Sequence, residues 1–72
     1  MDTENFYKNL GKKIKNLRKS AGLTQEQLAE KTGLSLDFIG KIEINLKHPS
    51  IPTLLVLSDV FNIHISDLFK DL

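Results

Sequence analysis

The chain has no cysteine, which removes disulfides, thiolate metal sites and cysteine nucleophiles from consideration. Its two histidines, His48 and His64, lie too far apart in sequence to suggest a local metal site, and each is expected as a solvated loop residue. No metal and no cofactor is expected. Long apolar runs are missing too, and those present are far too short to span a bilayer, so no membrane association is expected. The opening stretch MDTENFYKNL carries acidic residues and no apolar h-region, so no secretory signal is expected and a cytoplasmic setting is. Repeats, low-complexity segments and flexible linkers are absent. A chain of 72 residues buries one core and has none to spare, so residues 1–72 are expected to form a single domain without a fused sensor or catalytic unit. Asp, Glu, His and Ser occur, but none is arranged as a nucleophile with its base; an enzyme is not expected.

What the chain does have is helical periodicity. Phe6, Leu10, Ile14, Leu17 and Ala21 recur at spacings of four, four, three and four, the stripe of a long first helix. Asp2 or Thr3 can cap its start, and Gly22 stands where a left-handed residue ends it. Lys8, Lys12, Lys15 and Lys19 form the opposite stripe, which reads as a solvated face. Arg18 sits at the edge of the apolar stripe, where its stem can pack and its guanidinium can meet a carboxylate at the domain surface.

The stretch TQEQLAEKTGLSLDFIGKIEIN, Thr24 to Asn45, reads as two short helices joined by a glycine turn. Thr24 and Gln27 have capping-box spacing, with Leu23 and Leu28 as a staple. Gly33 ends the second helix, and Ser35 caps the third, with Leu34 and Ile39 at staple spacing. In the third helix Ile39, Ile42 and the flanking Glu43 point one way, and Asp37, Gly40, Lys41 and Ile44 the other. Gly40 in mid-helix costs about 1 kcal/mol relative to alanine. Either it is a weak position on a well-packed helix, or another surface, such as a duplex groove, must approach the backbone there.

Asn45 then takes the position that wants a positive φ, and Lys47 and His48 follow on an exposed loop from which both can reach a phosphate. Ser50 can cap a fourth helix with Pro52 in its first turn. Ile51, Leu54, Leu55, Leu57 and Phe61 are expected along its core side, and Val56 and Val60 on the far face. Asn62 stands at the next helix stop, and Ser66-Asp67 opens a last short helix with Leu68, Phe69 and Leu72. Val56, Val60, Phe69 and Leu72 are the candidate dimer contact; the arm at Phe6 and Tyr7 is the alternative cover for the valines. The expected fold class is all-α, one compact domain of five helices.

Net charge is only +1, but it is unevenly placed. Residues 1–22 hold six basic and two acidic groups, residues 23–49 three and four, and residues 50–72 one and three. Such polarity can steer an anionic partner to one face despite a small total.

GLTQEQLAEKTGLSLDFIGKIE, between the basic first helix and HPSIPTLLVLSDVFNIHISDLF, resembles the lambda-repressor/Cro-like helix-turn-helix family of regulators over roughly residues 8 to 70. The shared details are Leu-Thr-Gln at the start of the second helix, Leu-Ala within it, the turn glycine, Ile-Glu near the end of the third helix and Pro-Ser before the fourth. The resemblance implies a helix-turn-helix made of the second and third helices, the third lying in the major groove and the second crossing the backbone. It implies that Gln25 and nearby backbone N–H groups hold a phosphate and that Ser35, Leu36, Asp37, Gly40 and Lys41 face DNA; Asn45 and Lys47, next to that outer face, complete the candidate DNA-binding residues. Lys41 is the cation best suited to a base or phosphate; Asp37 can accept from a cytosine amino group, favour the helix N-terminus or repel phosphates. It also implies a structural salt bridge between Arg18 and Glu43. Ile44 and Asn45 stand where a polar residue and glycine are common, and Leu36 is unusually apolar for a groove-facing position.

The function so implied is a sequence-specific DNA-binding transcriptional regulator, a homodimer on palindromic double-stranded DNA. Phage-type repressors, antitoxins and restriction-modification controllers all remain open. The alternative is a protein-interaction module in which a partner is bound and DNA contact is secondary.

Overall fold

The first helix, α1 (Thr3–Ser20), starts where Asp2 caps it, its carboxylate accepting from the Glu4 amide at 2.9 Å. The computed structural model describes residues 2–72, and three more α-helices follow: α2 (Gln25–Thr32), α3 (Leu36–Glu43) and α4 (Ile51–Val60). The described fold is all-helical. The stops have a common chemistry. Gly22, Asn45 and Asn62 take φ of 74°, 64° and 57°, and the amide one residue beyond each donates back into the helix: Leu23 to the Arg18 carbonyl, Leu46 to Lys41 and Ile63 to Ser58. Each is a left-handed cap that satisfies carbonyls the helix would otherwise leave bare.

The core gathers Leu10 and Ile14 of α1, Leu28 and Ala29 of α2, Ile39 and Ile42 of α3, Leu54 and Leu57 of α4, and Leu68. Fully burying each leucine or isoleucine is worth about 1.5–3 kcal/mol relative to leaving it exposed. Helices α1 and α2 both pack on α3, which therefore sits between them and the surface.

Four expectations change. The last element is a 3-10 helix, Ile65–Phe69, rather than a fifth α-helix from Ser66. Asp67 bonds back to His64 through both its amide (2.9 Å) and its carboxylate (3.2 Å), closing a turn too tight and short for an α-helix. On α4 the core side is Leu54, Leu57 and Ser58, with Phe61 beside them, while Ile51 and Leu55 are 58% and 50% exposed. Val60 packs against the core instead of lying on the far face. This helix is apolar nearly all round, so its pattern did not mark one side, and polar Ser58 fits inside because its hydroxyl donates to the Leu55 carbonyl at 2.9 Å. On α1 the stripe stops at Leu17: Ala21 is exposed, and Gly11 and Arg18 are buried.

Candidate nucleic-acid interface

The starts and stops of α2 and α3 are built from local interactions. Thr24 Oγ1 accepts from the Gln27 amide (3.0 Å) while Gln27 Oε1 accepts from the Thr24 amide (2.9 Å). This capping box satisfies two donors and leaves the amides of Gln25 and Glu26 outside it. Gly33 closes α2 at φ 74°, and Ser35 Oγ accepts from the Phe38 amide at 3.0 Å to open α3.

The inward side of α3 is fixed by packing and by one ion pair. Glu43 Oε2 accepts from Arg18 Nε at 2.7 Å and Oε1 from Arg18 Nη2 at 3.1 Å; the two side chains are 1% and 9% exposed. Arg18 Nη1 also donates to the Leu23 carbonyl at 2.8 Å. The guanidinium thus lies buried, not at the surface, and ties α1, the α1–α2 loop and α3 together. Removing either partner would strand a buried charge.

The outward side carries residues that the core does not use. Leu36 is 49% exposed and Asp37 is exposed, with Gly40 and Lys41 half-buried beside them. Lys41 Nζ meets Asp37 Oδ2 at 2.9 Å, one turn away on the same helix. This pair neutralises the face locally and is of the exposed kind that contributes little to stability. Ser35 Oγ accepts in the cap, which leaves its O–H able to donate. Asn45 adopts its positive φ, but its side-chain oxygen is buried and accepts no hydrogen bond. Lys47 is exposed on a loop whose amide donates to the Lys41 carbonyl. His48 is exposed on its loop, as expected, and its ring stacks flat on Tyr7, ring centres 3.7 Å apart and planes 3° apart.

The four candidate dimer residues differ in exposure. Val56 is exposed; Val60 and Leu72 pack on the core; and Phe69, 36% exposed, stacks on Phe6 at 6.0 Å. An open cleft of about 370 Å³ between the end of α4 and the 3-10 helix is lined by Asp59, Asn62, Ile63, His64 and Asp67, with a charge of the wrong sign for a phosphate.

One position escaped the sequence reading, and a second has a partner that the reading did not give. Gly11 is buried, and a β-carbon there would lie 2.5 Å from the Ile42 carbonyl oxygen and 3.1 Å from that of Glu43. Its absence lets α1 touch the backbone at the end of α3. The signal was the spacing of Gly11, Ile14 and Arg18, which puts the glycine on the buried side. Gln25, expected to face a phosphate, sends its amide nitrogen to Glu43 Oε1 at 3.0 Å.

Residues 14–68 match the family model described as Helix-turn-helix. The immunity repressor protein of Bacillus phage phi105 is 40% identical over 57 residues, 79% of this chain and 40% of that protein. The restriction-modification controller protein C.AhdI from Aeromonas hydrophila superposes with a TM-score of 0.84 at 30% identity, covering 88% of this chain and 96% of its own. SinR, a master regulator for biofilm formation solved in complex with DNA, gives a TM-score of 0.80 at 35% identity over 85% of this chain and 98% of its own. The chain spans 40%, 43% and 33% of the length of three curated relatives it matches, less than half of each.

Proposed function

The chain belongs to the helix-turn-helix family, and from that premise we propose that it is a sequence-specific transcriptional regulator that binds double-stranded DNA, with α3 in the major groove and α2 across the backbone. The observation that carries this reading is the division of α3: packing and the Arg18–Glu43 pair hold one side, while the other offers Leu36, Asp37, Gly40 and Lys41 to whatever approaches. Ser35 and the free amides at the start of α2 flank that side and suit a phosphate. Asn45 and Lys47 border it on the far end, Lys47 as a cation on an anchored loop. Lys41 exchanges Asp37 for a phosphate or a base, and Asp37, so released, disfavours sequences without a donor for it. Leu36 suits a thymine methyl. No catalytic step belongs to this reading, and the regulator would work in the cytoplasm.

One such domain has a small footprint, so the reading includes a homodimer on a palindromic operator, which doubles the contacts. A second reading, a protein-binding module, is favoured by the exposed Ile51, Leu55 and Val56 of α4; co-purification with the product of a neighbouring gene would support it.

The test is selection from randomised duplex DNA at near-physiological salt. Enrichment of an inverted repeat is expected, with half-site spacing equal to the separation of two α3 helices. Affinity should fall with salt at a slope of about −0.9 per phosphate neutralised. No enrichment, or a salt-independent affinity, contradicts the proposal.

A further inference from the structure

Three segments converge on one carboxylate. Glu43, at the end of α3, accepts twice from Arg18 near the end of α1 and once from Gln25, the first residue of α2. To reach it, the Gln25 amide passes over α3 beside Gly40, where a β-carbon would lie 3.8 Å from both Gln25 Nε2 and Oε1. A carboxylate paired with a guanidinium accepts and does not donate, so the nitrogen end of the Gln25 amide must face it. A hydrogen bond to a charged, water-excluded acceptor is also stronger than one between neutral groups. Gln25 thus spans the gap between the start of α2 and the end of α3, the two parts whose relative placement sets how a recognition helix enters a groove. Within the helix-turn-helix itself, no other side-chain hydrogen bond is recorded between α2 and α3 among the described residues.

We propose that Gln25 is a positioning residue: through Glu43 it sets where α3 stands relative to the start of α2, and so influences which base pairs α3 reads without touching a base. This rests on the DNA-binding reading above. The bond to Glu43 occupies one of its two amide hydrogens, and the other remains for a phosphate at the start of α2.

Two variants of the whole chain, Gln25→Ala and Gln25→Glu, test it by two measurements. The first is thermal melting without DNA between about pH 4 and about pH 8. Gln25→Ala should melt several degrees below wild type. In Gln25→Glu the added carboxyl faces that of Glu43, so it keeps its proton to a higher pH when folded than when unfolded. Its stabilising bond is then present below the ordinary glutamate value of about 4.3 and lost as pH rises, and the variant should fall away from Gln25→Ala over that range. The charged groups around the node are Arg18 of α1 and Glu43 of α3; Asp37 and Lys41 pair with each other elsewhere on α3. Melting curves of the two variants that run parallel with pH would overturn the link.

The second measurement is the randomised-duplex selection, run with wild type and Gln25→Ala. The preference at base pairs under α3 should shift or relax. A phosphate contact would weaken every sequence by the same factor, and a merely structural role would lower the melting point and leave the preference unchanged; either result overturns the proposal. Should wild type itself enrich nothing, the DNA reading fails, and the link to Glu43 stands or falls on the melts.

Discussion

On its inward side α3 places Ile39 and Ile42 in the core and sets Glu43 on Arg18, while on its outward side Leu36 is half exposed and Asp37 and Lys41 pair with each other in solvent. One eight-residue helix therefore carries two sets of side chains under different constraints. The inward set is accounted for by packing and by the cost of an unpaired buried charge. The outward set is not needed by the fold, which leaves those side chains free to be chosen by a ligand. The two glycines that meet α3 make the same contrast: Gly11 of α1 presses on its carbonyls with no room for a β-carbon, whereas Gly40 has ordinary clearance.

The strongest way to break the contrast is on the inward side. Glu43→Ala strands the Arg18 guanidinium in a site where its side chain is 9% exposed, and removing one partner of a buried pair costs about 3–5 kcal/mol. Denaturant melts should show that loss together with weaker DNA binding; lost binding at an unchanged melting temperature would count against a structural role for the pair. Gly11→Ala is expected next, at about 1–3 kcal/mol for overpacking a rigid backbone contact. For a domain this small each kcal/mol moves the melting point by about 4–8 °C. An unshifted calorimetric transition would mean that α1 and α3 are not in close contact.

The same substitution on the outward side should act with the opposite sign. Gly40→Ala removes a helix-interior glycine where the new methyl fits, and should stabilise by about 0.5–1 kcal/mol. Its DNA affinity should fall, because the methyl stands where a groove would approach. A stabilised variant that binds as tightly as wild type would place the DNA elsewhere.

The smallest effect belongs to the far end of the molecule, where Lys70 Nζ meets Asp67 Oδ1 at 2.7 Å in solvent. The Lys70 hydrogen bond and charge hold the Asp67 carboxyl below its ordinary value of 3.8, and Asp67 raises Lys70 above 10.5. The aspartate contribution is present above its unfolded value and lost as pH falls through the lower folded one; that of the lysine is lost only in strong alkali. Asp67→Asn should therefore flatten the acid limb of the melting temperature against pH below about 4, with a small change at neutrality and none in DNA affinity.

The caps of α2 and α3 were legible because each is written within four residues: Thr24 with Gln27, Ser35 with Phe38, Gly33 alone by its missing side chain. So were the stops at Asn45 and Asn62. What the sequence did not disclose depends on partners far apart along the chain. Gln25 and Glu43 are 18 positions apart, and nothing in the spacing of either points to the other. Arg18 and Glu43, 25 apart, came from the family resemblance and not from periodicity. His48 is the exposed loop residue its place suggested, but its stack on Tyr7 joins positions too far apart to be read from the sequence. The exposed side of α4 was misplaced because an apolar helix without a polar stripe carries no orientation of its own, and the buried serine there breaks the rule that would have supplied one.

Lys41 offers the most direct measurement of the outward face, since its side chain is 41% exposed and bonded to a neighbour on its own helix. Lys41→Ala should leave the stability, followed by thermal melting, within about 0.5 kcal/mol of wild type. Titrated against the selected duplex over a range of salt, it should show either a slope reduced by about one, for a lost phosphate contact, or a relaxed preference at one base pair. A variant that melts and binds like wild type, with both slope and preference intact, would contradict the assignment of this face to DNA.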